Sequence, residues 1–106
     1  MNKNKSLTIE ETFNLAVKNH QEGKTDIAQN YYQKVLKIDP NNLVTHNNLG
    51  IIFQGLGEIQ KAKKSFEKAI EINPDYSNAH YNLGATFQEL GQYQKAKDCY
   101  EKVIKI

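Results

Sequence analysis

Asn14, Asn48 and Asn82 stand 34 and 34 residues apart, and this recurrence of one side chain is the pattern best placed to do chemistry. A primary amide offers an acceptor oxygen and two donor hydrogens, so it can pair with both the C=O and the N–H of a peptide unit. Being uncharged, it loses less hydration than an ion on entering a closed groove. Asparagine also has poor intrinsic helix propensity, which sets three of them at one period apart from an ordinary surface choice. Amides in such a row would hold the backbone of an extended polypeptide. The alternative is that asparagine is simply tolerated on a solvated face of units copied from one ancestor. Phe13, Asn47 and Tyr81, with His20, Gln54 and Gln88, keep the same spacing. They are candidates for side-chain selectivity beside the amides, or ordinary lining.

Other chemistries lack their parts. His46 and His80 sit beside Leu49 and Leu83, where a histidine serves as a packed, hydrogen-bonded helix contact. His80 and Cys99 have neither an orienting third group nor an oxyanion loop between them. No glycine-rich phosphate loop, paired carboxylates or His-x-x-x-His spacing is present, and the single cysteine rules out an internal disulfide. The expectation is a chain that is not an enzyme and needs no cofactor or metal. All 14 basic residues are lysine and the net charge is +2. Bidentate clamping of phosphate or carboxylate is usually arginine chemistry, and the balance gives no nucleic-acid footprint. Lys61-Ala62-Lys63-Lys64 reads as a solvated helix face, with Lys63 and Glu67 at pairing distance along a helix. The polar start Met1-Asn2-Lys3-Asn4-Lys5-Ser6 has no apolar run, so neither a signal peptide nor a membrane span is expected and the default location is cytoplasmic. On that location Asn4-Lys5-Ser6 is a chance match to a glycosylation acceptor.

The elements that must carry these residues follow from the same period. Leu43–Ile72 and Ser77–Ile106 share 16 identities in 30 aligned positions, and a repeat of this length means stacked supersecondary units. Thr8 and Glu11 form a capping box that opens a first helix over Ile9–Glu22. Gly23-Lys24-Thr25 is a turn, and Asp26–Ile38 a second helix. Asp39-Pro40 ends that helix, because the residue before proline is driven from helical angles. Leu43–Leu56, Ile59–Ile72, Ser77–Leu90 and Tyr93–Ile106 repeat the pattern, with turns at Gly57 and Gly91 and a break at Asn73-Pro74. No segment alternates as a strand does. The expected architecture is all-α, with units at 9–42, 43–76 and 77–106 behind a flexible lead at 1–8. Gly50, Gly84 and Ala16 would let the facing helix approach, as would Ala28, Ala62 and Ala96 from the other side, with Phe53, Phe66, Phe87 and Tyr100 filling the remaining space.

These residues resemble a tetratricopeptide repeat. The second unit carries the resemblance on Leu49, Gly50, Phe53, Gly57, Ala62, Phe66, Ala69 and Pro74, and the third on Leu83, Gly84, Phe87, Gly91, Ala96 and Tyr100. The first is weaker, on Leu15, Ala16, Gly23, Ala28, Tyr32 and Pro40. The resemblance implies a right-handed α-α superhelix of six antiparallel helices. It further implies that the first helix of each pair lines a concave groove for a protein or peptide ligand. On a helical wheel the groove side would then carry Asn14 and Val17, Asn48 and Ile51, and Asn82 and Ala85. The asparagine row is similar to the ladder in the repeat domain of O-linked N-acetylglucosamine transferases, which holds a peptide backbone. The chaperone-binding members of the family grip a carboxylate with Lys and Arg from these helices. Here the first helix has Lys18 alone and the other two have no lysine, which disfavours that mode.

Both ends carry expectations. Asn19 replaces Phe53 and Phe87, and Thr25 replaces Ile59 and Tyr93, a more polar first unit suited to a terminal position. The last helix closes on Val103-Ile104-Lys105-Ile106 without a polar capping helix, and exposed apolar surface there invites association. Two further readings therefore stand beside the peptide-binding one. The chain is the N-terminal repeat domain of a larger enzyme, of glycosyltransferase or sulfotransferase type, presenting substrate to it; or it is a scaffold that self-assembles through its uncapped end.

Overall fold

The computed structural model describes residues 6–106. Residues 1–5 of the expected lead, with most of the Asn4-Lys5-Ser6 triplet, lie outside the described residues. Six helices follow in order: α1 (Ile9–Gln21), α2 (Thr25–Ile38), α3 (Leu43–Gly55), α4 (Ile59–Ile72), α5 (Ser77–Glu89) and α6 (Tyr93–Lys105). No strand occurs among the described residues. The chain divides into two compact units, one ending at Pro40 and the other running from Asn41 to Ile106.

Each helix boundary has a local cause. The Glu11 amide donates to Thr8 Oγ1 at 3.0 Å, and the Thr8 amide donates to Glu11 Oε1 at 2.9 Å. That reciprocal pair satisfies two otherwise orphaned donors of α1. The hydrogen bond from the Thr8 amide, then that with the Thr8 side chain, holds the Glu11 carboxyl below its ordinary value. Replacing Thr8 with alanine is expected to cost about 1 kcal/mol, read as a lower midpoint in urea denaturation. Asn42 caps α3, its Oδ1 accepting from the Thr45 amide at 3.0 Å and from Thr45 Oγ1 at 2.8 Å.

The expected ends of α1, α3 and α5 fall one residue short, because Glu22, Leu56 and Leu90 are C-caps rather than helix. Each is followed by a glycine at positive φ: 78° at Gly23, 77° at Gly57 and 74° at Gly91. The Glu58 amide reaches back to the Phe53 carbonyl at 2.8 Å and the Gly57 amide to that of Gln54 at 3.1 Å. This double closure needs the left-handed residue that glycine supplies at little cost. It recurs at Lys24–Asn19 and at Gln92–Phe87. Asp39 and Asn73, each before a proline, leave helical angles with ψ of 86° and 101°.

In the first unit α2 folds back on α1. Ala16, Ala28, Tyr32 and Val35 are buried, with the Phe13 ring 6.0 Å and the His20 ring 6.1 Å from that of Tyr32. Asn19 folds its amide back along α1, donating to the Leu15 carbonyl at 2.8 Å.

In the second unit α3 packs on α4, α4 on α5 and α5 on α6, and α3 also runs beside α5. Its core is Ala62, Phe66, Leu83, Phe87 and Ala96, flanked by Phe53, Ile70, Leu90, Cys99 and Tyr100. Gly50 and Gly84 do admit the facing helix. A Cβ at Gly50 would stand 2.5 Å from the Phe66 ring, and one at Gly84 2.7 Å from the ring of Tyr100. The expected pairing of Lys63 with Glu67 does not form. The Lys63 ammonium lies 5.6 Å from the centroid of the Phe87 ring instead, and that of Lys61 lies 5.7 Å from the Phe53 ring.

Candidate functional site

The second unit presents two of the three recurring asparagines. Asn48 and Asn82 are half-buried, and Ile51 and Ala85, one turn further along, are exposed and half-buried. None of the four is in the core, because each lies on the side of its helix away from the Leu49–Gly50 or Leu83–Gly84 contact. In the first unit Asn14 is exposed and Val17 half-buried on α1.

Two neighbours of this row, Asn47 and Gln54, make contacts across the seam between α3 and α5. Asn47 is only 4% exposed, and its Oδ1 accepts from Asn82 Nδ2 at 3.1 Å. Gln54 Nε2 donates to Glu89 Oε1 at 3.2 Å, and Thr86 Oγ1 lies 3.4 Å from Gln54 Oε1 while donating to the Asn82 carbonyl at 2.9 Å. Asn47 and Gln54 therefore join α3 to α5, and Asn47 is buried there rather than open to a groove. The physical reason is that one step along a helix rotates a side chain by about 100°, carrying Asn47 from the face of Asn48 to the side of the following helix. One amide hydrogen and the oxygen of Asn82 are left over from this bond, so the seam orients that amide without exhausting it.

Tyr81 and Gln88 hold the corresponding positions on α5, where the described residues supply no further helix to meet them. Tyr81 is 59% exposed, with its ring 5.7 Å from that of Tyr100. Gln88 Oε1 accepts from the Tyr100 hydroxyl at 3.0 Å. Thr86, fully buried in the seam, was not singled out by the sequence. The signal for it was weak: a small β-branched residue beside a large apolar one.

His80 and Cys99, the Cys–His pair weighed in the sequence, line one groove between α5 and α6. His80 Nε2 donates to the Pro74 carbonyl at 2.7 Å, fixing the ring as a loop clasp. Burial, and then the Asp98 and Glu67 carboxylates beside it, push the Cys99 thiol above its ordinary value, the wrong direction for a nucleophile. No group of three or more His, Cys, Asp or Glu side chains able to hold a metal occurs among the described residues. No helix among them is long and apolar enough to cross a membrane.

A family model described as tetratricopeptide repeat matches residues 43–106, and a second of the same description matches residues 13–42. The chain belongs to the tetratricopeptide repeat family. Its all-α helical repeat is shared with the crystal structure of MamA, at a TM-score of 0.87 and 21% identity over 92% of this chain and 57% of that one. The first tetratricopeptide domain of Spaghetti (RPAP3), solved with the HSP90 peptide SRMEEVD, has a TM-score of 0.87 at 27% identity over 92% of this chain and 77% of that one. Among curated sequences, the uncharacterized protein ycf37 of Pyropia yezoensis is 40% identical over 40 residues, which are 38% of this chain and 22% of that protein. The tetratricopeptide chain described here thus matches about a fifth of that relative and somewhat over half of MamA.

Proposed function

We propose that this tetratricopeptide chain is a protein–protein interaction module that holds an extended peptide by its backbone through Asn48 and Asn82 of the second unit, with Asn14 the equivalent amide of the first. The observation that carries the reading is the pair Asn48 and Asn82: the same amide, one repeat apart, half-buried on α3 and α5 outside the core, with Asn82 braced by Asn47. Asn14 takes the same place in its own repeat. Packed helices stand about 8–10 Å apart and an extended chain rises about 3.3 Å per residue, so successive amides would address peptide units roughly three residues apart. Ile51 and Ala85 would lie under the peptide's side chains, with Tyr81 and Gln88 at its margin, and Val17 and Phe13 hold the equivalent places in the first unit. A relative solved with a bound peptide supports a peptide as the class of partner.

The ligand of this chain differs in charge from the acidic SRMEEVD. Helices α3 and α5 hold no lysine or arginine, and α1 has Lys18 alone, so there is no cationic clamp for acidic side chains or a terminal carboxylate. The test takes a peptide selected from a random library on the immobilised chain and titrates it by calorimetry. Asn48→Ala and Asn82→Ala are each expected to weaken it about five- to tenfold, the worth of one neutral hydrogen bond. SRMEEVD should show no binding tighter than about 1 mM. Unchanged affinity in both alanine variants would remove the amides from the site.

A further inference from the structure

We propose that α6 is a self-complementary interface, on which a second copy of this chain docks with its own α6 antiparallel about a two-fold axis. The face concerned repeats one already used within the second unit. Ala62, Phe66 and Ile70 of α4 share a core with Leu83 and Phe87 of α5, and Ile59, at the start of the same helix, is half-buried. Thirty-four residues on, α6 offers Tyr93, Ala96, Tyr100 and Ile104 at the same positions. No further helix among the described residues packs over them, and Tyr93 is 70% and Ile104 84% exposed. Together with Lys97 and Glu101 these four line a groove of about 290 Å³. The side chains are thus those of a helix-packing surface, arranged as the chain arranges them elsewhere for that purpose.

Charge selects the occupant. Lys97 and Glu101 lie on one flank of the apolar stripe, four residues apart, and their mutual contact is long at 3.9 Å. In an antiparallel pair the same flank of each helix faces its counterpart. A two-fold axis level with residue 99 therefore sets Lys97 of each copy against Glu101 of the other, and brings Tyr93 of each to within a residue of Ile104 of the other. A head-to-tail stack would instead offer α6 the helix α1. There Asn19 holds the place that Phe87 takes in the α4–α5 packing, and its amide is already turned to the Leu15 carbonyl. This proposal does not depend on the peptide site, and its test reads mass alone.

Sedimentation equilibrium of the whole chain is expected to show a reversible monomer–dimer equilibrium between about 10 μM and 1 mM, as befits an interface at the small end of the stable range. Ile104→Lys should be monomeric throughout with unchanged helical circular dichroism, since the side chain it replaces lies outside the core. Lys97→Glu and Glu101→Lys should each weaken the dimer at least tenfold, by setting like charges against each other. Mixed in equal amounts, the two variants should form a heterodimer as tight as the wild-type dimer. A wild-type chain still monomeric at about 1 mM, masses that climb past the dimer, or a mixture no tighter than its parents would each overturn the proposal.

Discussion

Phe66→Ala is expected to cost about 3–5 kcal/mol, a large part of the total stability usual for a small domain. The ring is fully buried on α4 and belongs to both packings that α4 makes. On one side it fills the space left by the missing side chain of Gly50. On the other it shares the core with Leu83 and Phe87 of α5. Glycine cannot move a side chain into the vacated volume, so most of the cavity would remain, and residual cavity volume raises the cost of a large-to-small change. Chemical denaturation of the two proteins side by side measures it. A loss under about 1 kcal/mol would mean that α4 and α5 are held by something other than this ring.

What was legible in the sequence was whatever is local or periodic. The capping box needs only Thr8 and Glu11. The turn at Gly57 needs one residue able to adopt positive φ, and the break at Asn73 needs only the proline after it. The close approach at Gly50 could also be read, because a small residue recurring opposite a large one at a fixed period is what interlocked helices require. The seam between α3 and α5 could not. Asn47 and Asn82 are 35 residues apart, and a wheel drawn for one helix does not say where the next one passes. A single-helix wheel places Asn47 at the margin of a groove, while the neighbouring helix buries it. Lys63 illustrates the same limit for charge. The i, i+4 rule offers it Glu67, but the ammonium stands over the Phe87 ring that the following repeat brings in. Pairings of both kinds depend on tertiary partners, and only the folded chain supplies those.

The glycines of these helices are expected to respond to alanine in opposite directions. Alanine is favoured over glycine inside a helix by about 0.8–1 kcal/mol, so without other effects each change would stabilise. Gly55, at the end of α3, has nothing within 4 Å of an added Cβ, and Gly55→Ala should gain a few tenths of a kcal/mol there. At Gly50 the new methyl would stand 2.5 Å from the Phe66 ring, which is enclosed on its other sides and has no free volume to swing into. The overpacking cost of about 1–3 kcal/mol then exceeds the propensity gain, and Gly50→Ala should be destabilising. Gly84→Ala meets a similar obstacle in Tyr100, but that ring lies on the uncovered side of α6 and can tilt outward, so its loss should be smaller. Thermal melts of the three variants should rank Gly55→Ala above the wild type, then Gly84→Ala, then Gly50→Ala. The cost at Gly50 should shrink when Phe66 is also shortened to leucine, because the two changes act on one contact and are not additive. Gly50→Ala as stable as Gly55→Ala would mean that α3 and α4 lie further apart than the Gly50–Phe66 contact requires.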